Sequence, residues 1–136
     1  MRAFTFVLRI IATLILVVGA LHLTLGVAAE VLLGAKLPAE ALADPALDSQ
    51  NRFYGVSFAL YGVLFLVCAG NIQKYATVFR CVVWVFFAAG LARIVSIATH
   101  GVPPPLVIAL LASELLTPPL LAWWLSRIDR ESQQIV

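Results

Sequence analysis

Charged residues are missing from two long runs of the chain: none falls between Ile10 and Ala29, and none between Phe53 and Gln73. Two further apolar blocks, about 81–99 and 102–126, carry a single charge each, Arg93 and Glu114. These apolar residues come as blocks, not at the three- and four-residue spacing of a surface helix. About 20 apolar residues are what a helix needs to cross a bilayer. The pattern predicts four membrane-spanning helices, over about 10–28, 53–70, 78–99 and 105–125. They use most of the 136 residues, so residues 1–136 read as one integral membrane domain, an all-α four-helix transmembrane bundle.

The polar stretches between the blocks set the connections. The segment from Glu30 to Gln50 is the one substantial loop, with Glu30, Glu40, Asp44 and Asp48 against Lys36 alone. Residues 37–42 are expected to form a short interfacial turn, and Asp48 or Ser49 to cap the second helix. Asn71 to Arg80 is short and basic, and 100–105 is a tight uncharged turn rich in proline. Arg2, Arg9, Lys74, Arg80, Arg127 and Arg130 then fall on one side of the membrane, and Lys36 and Arg52 on the other. By the positive-inside rule both termini are cytoplasmic, N-in and C-in, with Trp123 and Trp124 in the inner aromatic belt. A basic start, an apolar run and small residues at 26–29 also fit a signal peptide with a cleavage site. The run is longer than a typical signal core and contains His22, so a retained helix is the better reading.

Composition agrees with this picture. The chain is 62% hydrophobic and 12% charged, where a soluble domain carries about twice that charge fraction. A net charge of +2 gives no reason to expect nucleic acid. Cys68 and Cys81 form neither a Cys-x-x-Cys motif nor a metal-ligand spacing. They read as small apolar residues near the membrane face, and a disulfide is not expected if their loop is cytoplasmic. No metal or other cofactor is expected. The paired-histidine, nucleophile-elbow and phosphate-loop motifs are absent, as is any pair of deep carboxylates. The residues therefore lean away from an enzyme. Four short helices also enclose too little volume for a channel or transporter built from one chain.

Candidate chemistry gathers at one depth. An arginine at membrane depth costs about 3 kcal/mol on insertion scales and normally finds a partner. Glu114 is the only acid deep in another span. Arg93 lies roughly 20 Å beyond Arg80 at helical rise, in the outer half of a hydrocarbon core about 30 Å thick. His22, Asn51, Arg52, Tyr54 and Glu114 fall in the same outer half. Gly19, His22 and Gly26 share a stripe on the first helix. Asn51, Gly55, Phe58 and Gly62 share one on the second, with Ala59 beside it, a pattern that permits close helix packing. Phe86, Gly90, Arg93 and Ile97 share a face of the third. Pro118 and Pro119 free the carbonyls of Glu114 and Leu115 and predict a kink in the fourth helix just below Glu114.

Two functions follow. In the first, His22, Asn51, Arg52, Tyr54, Arg93 and Glu114 line an outer-half pocket for a small amphipathic or anionic ligand, such as a lipid headgroup, with Arg52 and Arg93 as anion contacts. In the second, Arg93 and Glu114 are an internal latch in an accessory subunit of a membrane complex or in a homo-oligomer packed through Gly55, Ala59 and Gly62.

Residues 48–55 (Asp-Ser-Gln-Asn-Arg-Phe-Tyr-Gly), 90–93 (Gly-Leu-Ala-Arg), 101–103 (Gly-Val-Pro) and Glu114 near a proline carry a resemblance. Over nearly its whole length the chain resembles a family of uncharacterised small bacterial four-helix membrane proteins, a domain of unknown function loosely similar to the DoxX-like group. The resemblance implies four helices in a bacterial inner (cytoplasmic) membrane. It marks Asn51, Arg52, Arg93 and Glu114 as family positions. DoxX-like proteins include accessory subunits of membrane redox systems, but this chain has no haem, quinone or iron–sulfur signature.

Overall fold

The structure, a computed structural model, describes residues 1–133. It is all-helical over the described residues: α1 (Arg2–Leu25), α2 (Ala28–Leu32), α3 (Ala39–Leu42), α4 (Pro45–Gly70), α5 (Ala76–His100) and α6 (Pro105–Gln133). Four of these, α1, α4, α5 and α6, are long and apolar enough to cross a membrane. The molecule is a small multi-pass membrane protein.

The helices run past the apolar blocks. A charge at the bilayer surface does not stop a helix, so α1 already begins at Arg2 and takes in Arg9. Helix α4 begins a turn earlier than the sequence suggests. Its cap is Asp44, whose Oδ1 accepts from the amides of Ala46 (2.7 Å) and Leu47 (3.3 Å). Pro45 follows at the first helical position, where its missing N–H is no loss. Asp48 is thereby released for another task. Helix α6 remains helical through Pro118 and Pro119. The expected turn at 37–42 contains α3, whereas α2 occupies a stretch read as loop.

Phe4 stacks edge-on against Phe79 and Trp124, with ring centroids 5.6 and 5.2 Å away, so α1, α5 and the later part of α6 meet, and the start of α1 and the end of α6 share one end of the bundle, the termini end. The buried apolar core lies there, built on Phe4, Leu8, Phe65, Phe79, Val83 and Leu125. Arg80 donates to Asp129 at 3.0 Å and ties the start of α5 to the end of α6.

Toward the opposite, far end the packing changes character. Helix α1 lies on α4 through backbone rather than through large side chains. A methyl group on Gly19 would come within 2.8 Å of the Ala59 amide nitrogen, and one on Gly55 within 2.5 Å of that of Leu23. One on Gly62 would meet Leu16 Cγ at 2.6 Å. Small residues allow helices to approach this closely in a membrane. The expected stripe of Gly55, Ala59 and Gly62 is real, but Gly19 and its neighbours on α1 occupy it. It is not the face through which a second copy would pack. Helix α5 pairs with α6, and the two pairs join mainly through α4 and α5. At the far end, the segment after α2 reaches the α5–α6 turn, where a methyl group on Gly34 would lie 3.1 Å from Pro104 Cβ.

Candidate far-end polar site

The far end holds two polar groups of residues. The first sits between α5 and α6. Gly90 leaves the space: a methyl group there would stand 3.2 Å from Glu114 Cβ and 2.9 Å from Leu115 Cδ2. Three residues on, Arg93 Nε donates to Glu114 Oε2 at 2.7 Å. Glu114 is buried, whereas the Arg93 side chain is 35% exposed. The sequence placed these two charges at similar depth, and the fold brings them into direct contact. Charge-assisted bonds of this length are the strong kind. Only Nε is engaged; among the described residues the two Nη groups have no hydrogen-bond partner. Arg93 lies seven residues before the end of α5 at His100, roughly 10 Å below that end at helical rise.

The second group closes the end of α1 against α4. Gly26 ends the helix with a φ of 58°, a conformation that glycine adopts freely. A methyl group there would overlap the Asp48 carboxylate. Asp48 accepts from the Val27 amide at 3.3 Å and from Arg52 Nε at 2.7 Å. Arg52 Nη1 in turn donates to the carbonyls of Leu23 (2.8 Å) and Thr24 (3.2 Å). The last carbonyls of a helix have no partner within it, and Arg52 supplies one from the neighbouring helix. Arg52→Ala is expected to lower stability by about 1–2 kcal/mol, the worth of hydrogen bonds to a charged donor at a partly exposed site. Thermal unfolding in one detergent measures it. An unchanged midpoint would mean that water replaces the guanidinium at no loss.

His22 and Asn51 lie beside this closure. The His22 ring is buried; its Nδ1 lies 2.9 Å from the Val18 carbonyl oxygen, and its Nε2 stands 3.5 Å from Glu30 Oε1. The Phe58 ring is 5.8 Å away. Asn51 Nδ2 donates to the Leu47 carbonyl at 3.1 Å. Its Oδ1 is buried and unpartnered, alone in this among the described side chains. Tyr54 is 45% exposed, and its ring meets that of Phe53 at 6.4 Å.

The six candidate residues therefore do not form one cluster. Arg93 and Glu114 are joined, and Arg52 is joined to the end of α1. Among the described residues, no hydrogen bond or ion pair connects the two groups. Asp48 and Glu30 were missed. Both belong to the acidic connection, and their roles appear only once Gly26 turns the chain back and α2 forms. Two open grooves lie elsewhere, at the end holding the termini. One, of about 230 Å³, is lined by Trp123, Trp124, Arg127 and Ile128. The other, of about 470 Å³, is lined by Met1, Arg2, Thr5, Phe6 and Arg9. Among the described residues, no group of three histidine, cysteine or acidic side chains is placed to hold a metal ion.

Neither the comparison with curated proteins nor that with solved structures gives a match. A family model does match, over residues 3–125, a span that takes in α1 to α5, most of α6 and every residue of both polar groups. The chain belongs to the family described as "Domain of unknown function (DUF4345)".

Proposed function

We propose that this is a non-enzymatic, multi-pass protein of the bacterial inner membrane, loosely DoxX-like, with both termini in the cytoplasm. Its far-end residues, His22, Asn51, Arg52, Tyr54, Arg93 and Glu114, would serve a small amphipathic or anionic ligand, a lipid headgroup included. The observation that carries this is Arg93. A guanidinium at membrane depth, 35% exposed and bonded only through Nε, leaves N–H donors facing a solvent with few acceptors. Such donors need partners in the bilayer interior, and the polar end of an amphipath supplies them. Glu114 holds the guanidinium in place. Arg52 has a supporting part, since its donors already serve the end of α1. The orientation is supported by the gathering of Arg2, Arg9, Lys74, Arg80, Arg127 and Arg130 at the termini end.

The test compares amphipaths that co-purify with the wild type, with Arg93→Gln and with Arg127→Gln, quantified by mass spectrometry from protein of equal helicity. One species should fall several-fold in Arg93→Gln alone. The same profile in all three proteins would sink the proposal.

A second reading keeps Arg93 and Glu114 as a structural latch in an accessory subunit or homo-oligomer. The short contact and the burial of Glu114 favour it. Its partner would have to approach another face, because α1 already covers the glycine stripe of α4.

A further inference from the structure

The helix register across α4 and α5 locates an opening. Tyr61 packs edge-on against Phe86 with ring centroids 5.6 Å apart, and Phe65 lies 6.3 Å from the same ring. Tyr54 is seven residues outward from Tyr61 on α4, and Arg93 seven outward from Phe86 on α5. Seven residues are nearly two full turns, so both return to the facing stripes of their antiparallel helices, at the same level. Had the interface continued, Tyr54 and Arg93 would bury each other. Instead they are 45% and 35% exposed. No hydrogen bond joins them, and among the described residues neither the phenol nor the Nη groups have a hydrogen-bond partner. That exposure indicates that the two helices, in touch at Tyr61 and Phe86, part above them.

We propose that this parting is a lateral slot that admits the carboxyl end of a single-chain amphipath, a free fatty acid, from the bilayer. This rests on the reading of Arg93 as a ligand contact and adds the entrance and the ligand class. Tyr61 and Phe86 form the floor. The phenol of Tyr54 and the two Nη groups of Arg93 meet the headgroup. Three observations select a carboxyl group. With Nε bound to Glu114, the remaining edge of the guanidinium is a planar pair of donors, the geometry that takes both oxygens of a carboxylate. Glu114 already balances the charge of Arg93, so a phosphomonoester dianion would leave two charges uncompensated at low dielectric, whereas a carboxylate, like the phosphodiester of a phospholipid, leaves one, and depth separates those two. The slot lies roughly 10 Å below the end of α5 at helical rise, which favours a small headgroup over one anchored in the phosphate layer. A slot open to one side, between two helices, suits one acyl chain.

The full chain would be placed in nanodiscs of zwitterionic lipid with palmitate carrying a diazirine on its chain, and crosslinks mapped by mass spectrometry. Affinities for palmitate and for phosphatidylglycerol would be measured on the wild type, Tyr54→Phe and Arg93→Lys. Labelling should saturate at one palmitate per chain and fall on α4 and α5 between the levels of Tyr54 and Phe65. Tyr54→Phe removes one hydrogen bond and no packing contact of the fold, and should weaken palmitate roughly 3- to 10-fold. Arg93→Lys keeps the charge but not the planar edge, and should weaken it about 10-fold or more. Labelling that does not saturate and spreads over the lipid-facing residues of α5 and α6 would overturn the slot, as would full affinity in Tyr54→Phe. If phosphatidylglycerol rather than palmitate binds through Arg93, the ligand class is wrong while Arg93 remains a contact. If neither amphipath responds to Arg93→Lys, both proposals fall.

Discussion

Gly55→Val is expected to leave little folded protein in mild detergent. A side chain there would run into the Leu23 amide nitrogen at 2.5 Å and the Gly19 carbonyl oxygen at 2.8 Å. Both are backbone atoms inside a helix, and neither can move without its whole helix. Helices α1 and α4 would have to separate, and the contacts at Gly19, Ala59 and Gly26 would loosen together. Overpacking typically costs 1–3 kcal/mol and occasionally more; with two backbones as the obstacle, a loss of about 3 kcal/mol or more is expected. Gly70→Val is the control, since a methyl group there meets nothing within 4 Å. Thermal unfolding of both variants beside the wild type measures the difference. Equal midpoints would show that α1 and α4 do not approach this closely in the membrane.

The second large effect belongs to the pair between α5 and α6. Arg93→Glu and Glu114→Arg each set like charges 21 residues apart in sequence against one another, with position 114 buried. Removing one partner of a buried pair costs about 3–5 kcal/mol, and reversing it should cost at least that. The double exchange should recover part of the loss. Full recovery is not expected, because Gly90 fits α5 to a glutamate at position 114 and the longer arginine has less room. Expression level and thermal midpoint in detergent measure the cycle. Collapse of both single variants with rescue in the double makes the pair a latch within the fold. Single variants as stable as the wild type would mean that water or a ligand already solvates both charges.

The four spans were legible because hydrocarbon demands uninterrupted apolar stretches, and few other folds produce them. The helix ends were not. Hydropathy marks where lipid begins, while a helix stops where its backbone finds other partners: Arg2 lies within α1 although charged, and Asp44 with Pro45 sets the start of α4. Arg93 and Glu114 were legible as candidate partners for a different reason, since few other groups lie at that depth to answer an arginine; their contact was not, because hydropathy does not set which helices are neighbours. The glycine stripe on α4 announced close packing but not its partner, because spacing gives a face and not what covers it. His22 with Glu30, and Asp48 with the Val27 amide, depend on the turn at Gly26. Gly26 permits the positive φ of that turn, but a glycine alone does not say which residues the turn will bring together. The solitary Oδ1 of Asn51 is of the same kind: burial without a partner is a property of packing.

The large buried side chains of this bundle are gathered at one end, around Phe4, Phe79 and Leu125, while the far end is held by glycine contacts, a helix cap and the ion pairs of Arg52 with Asp48 and Arg93 with Glu114. Opening free energies track buried apolar contact. The protein should therefore behave as a stiff base carrying a looser crown. Thermal motion that parts α4 from α5 above Tyr61 need not disturb the aromatic base, so the crown can exchange what it holds with the surrounding lipid while the bundle stays assembled.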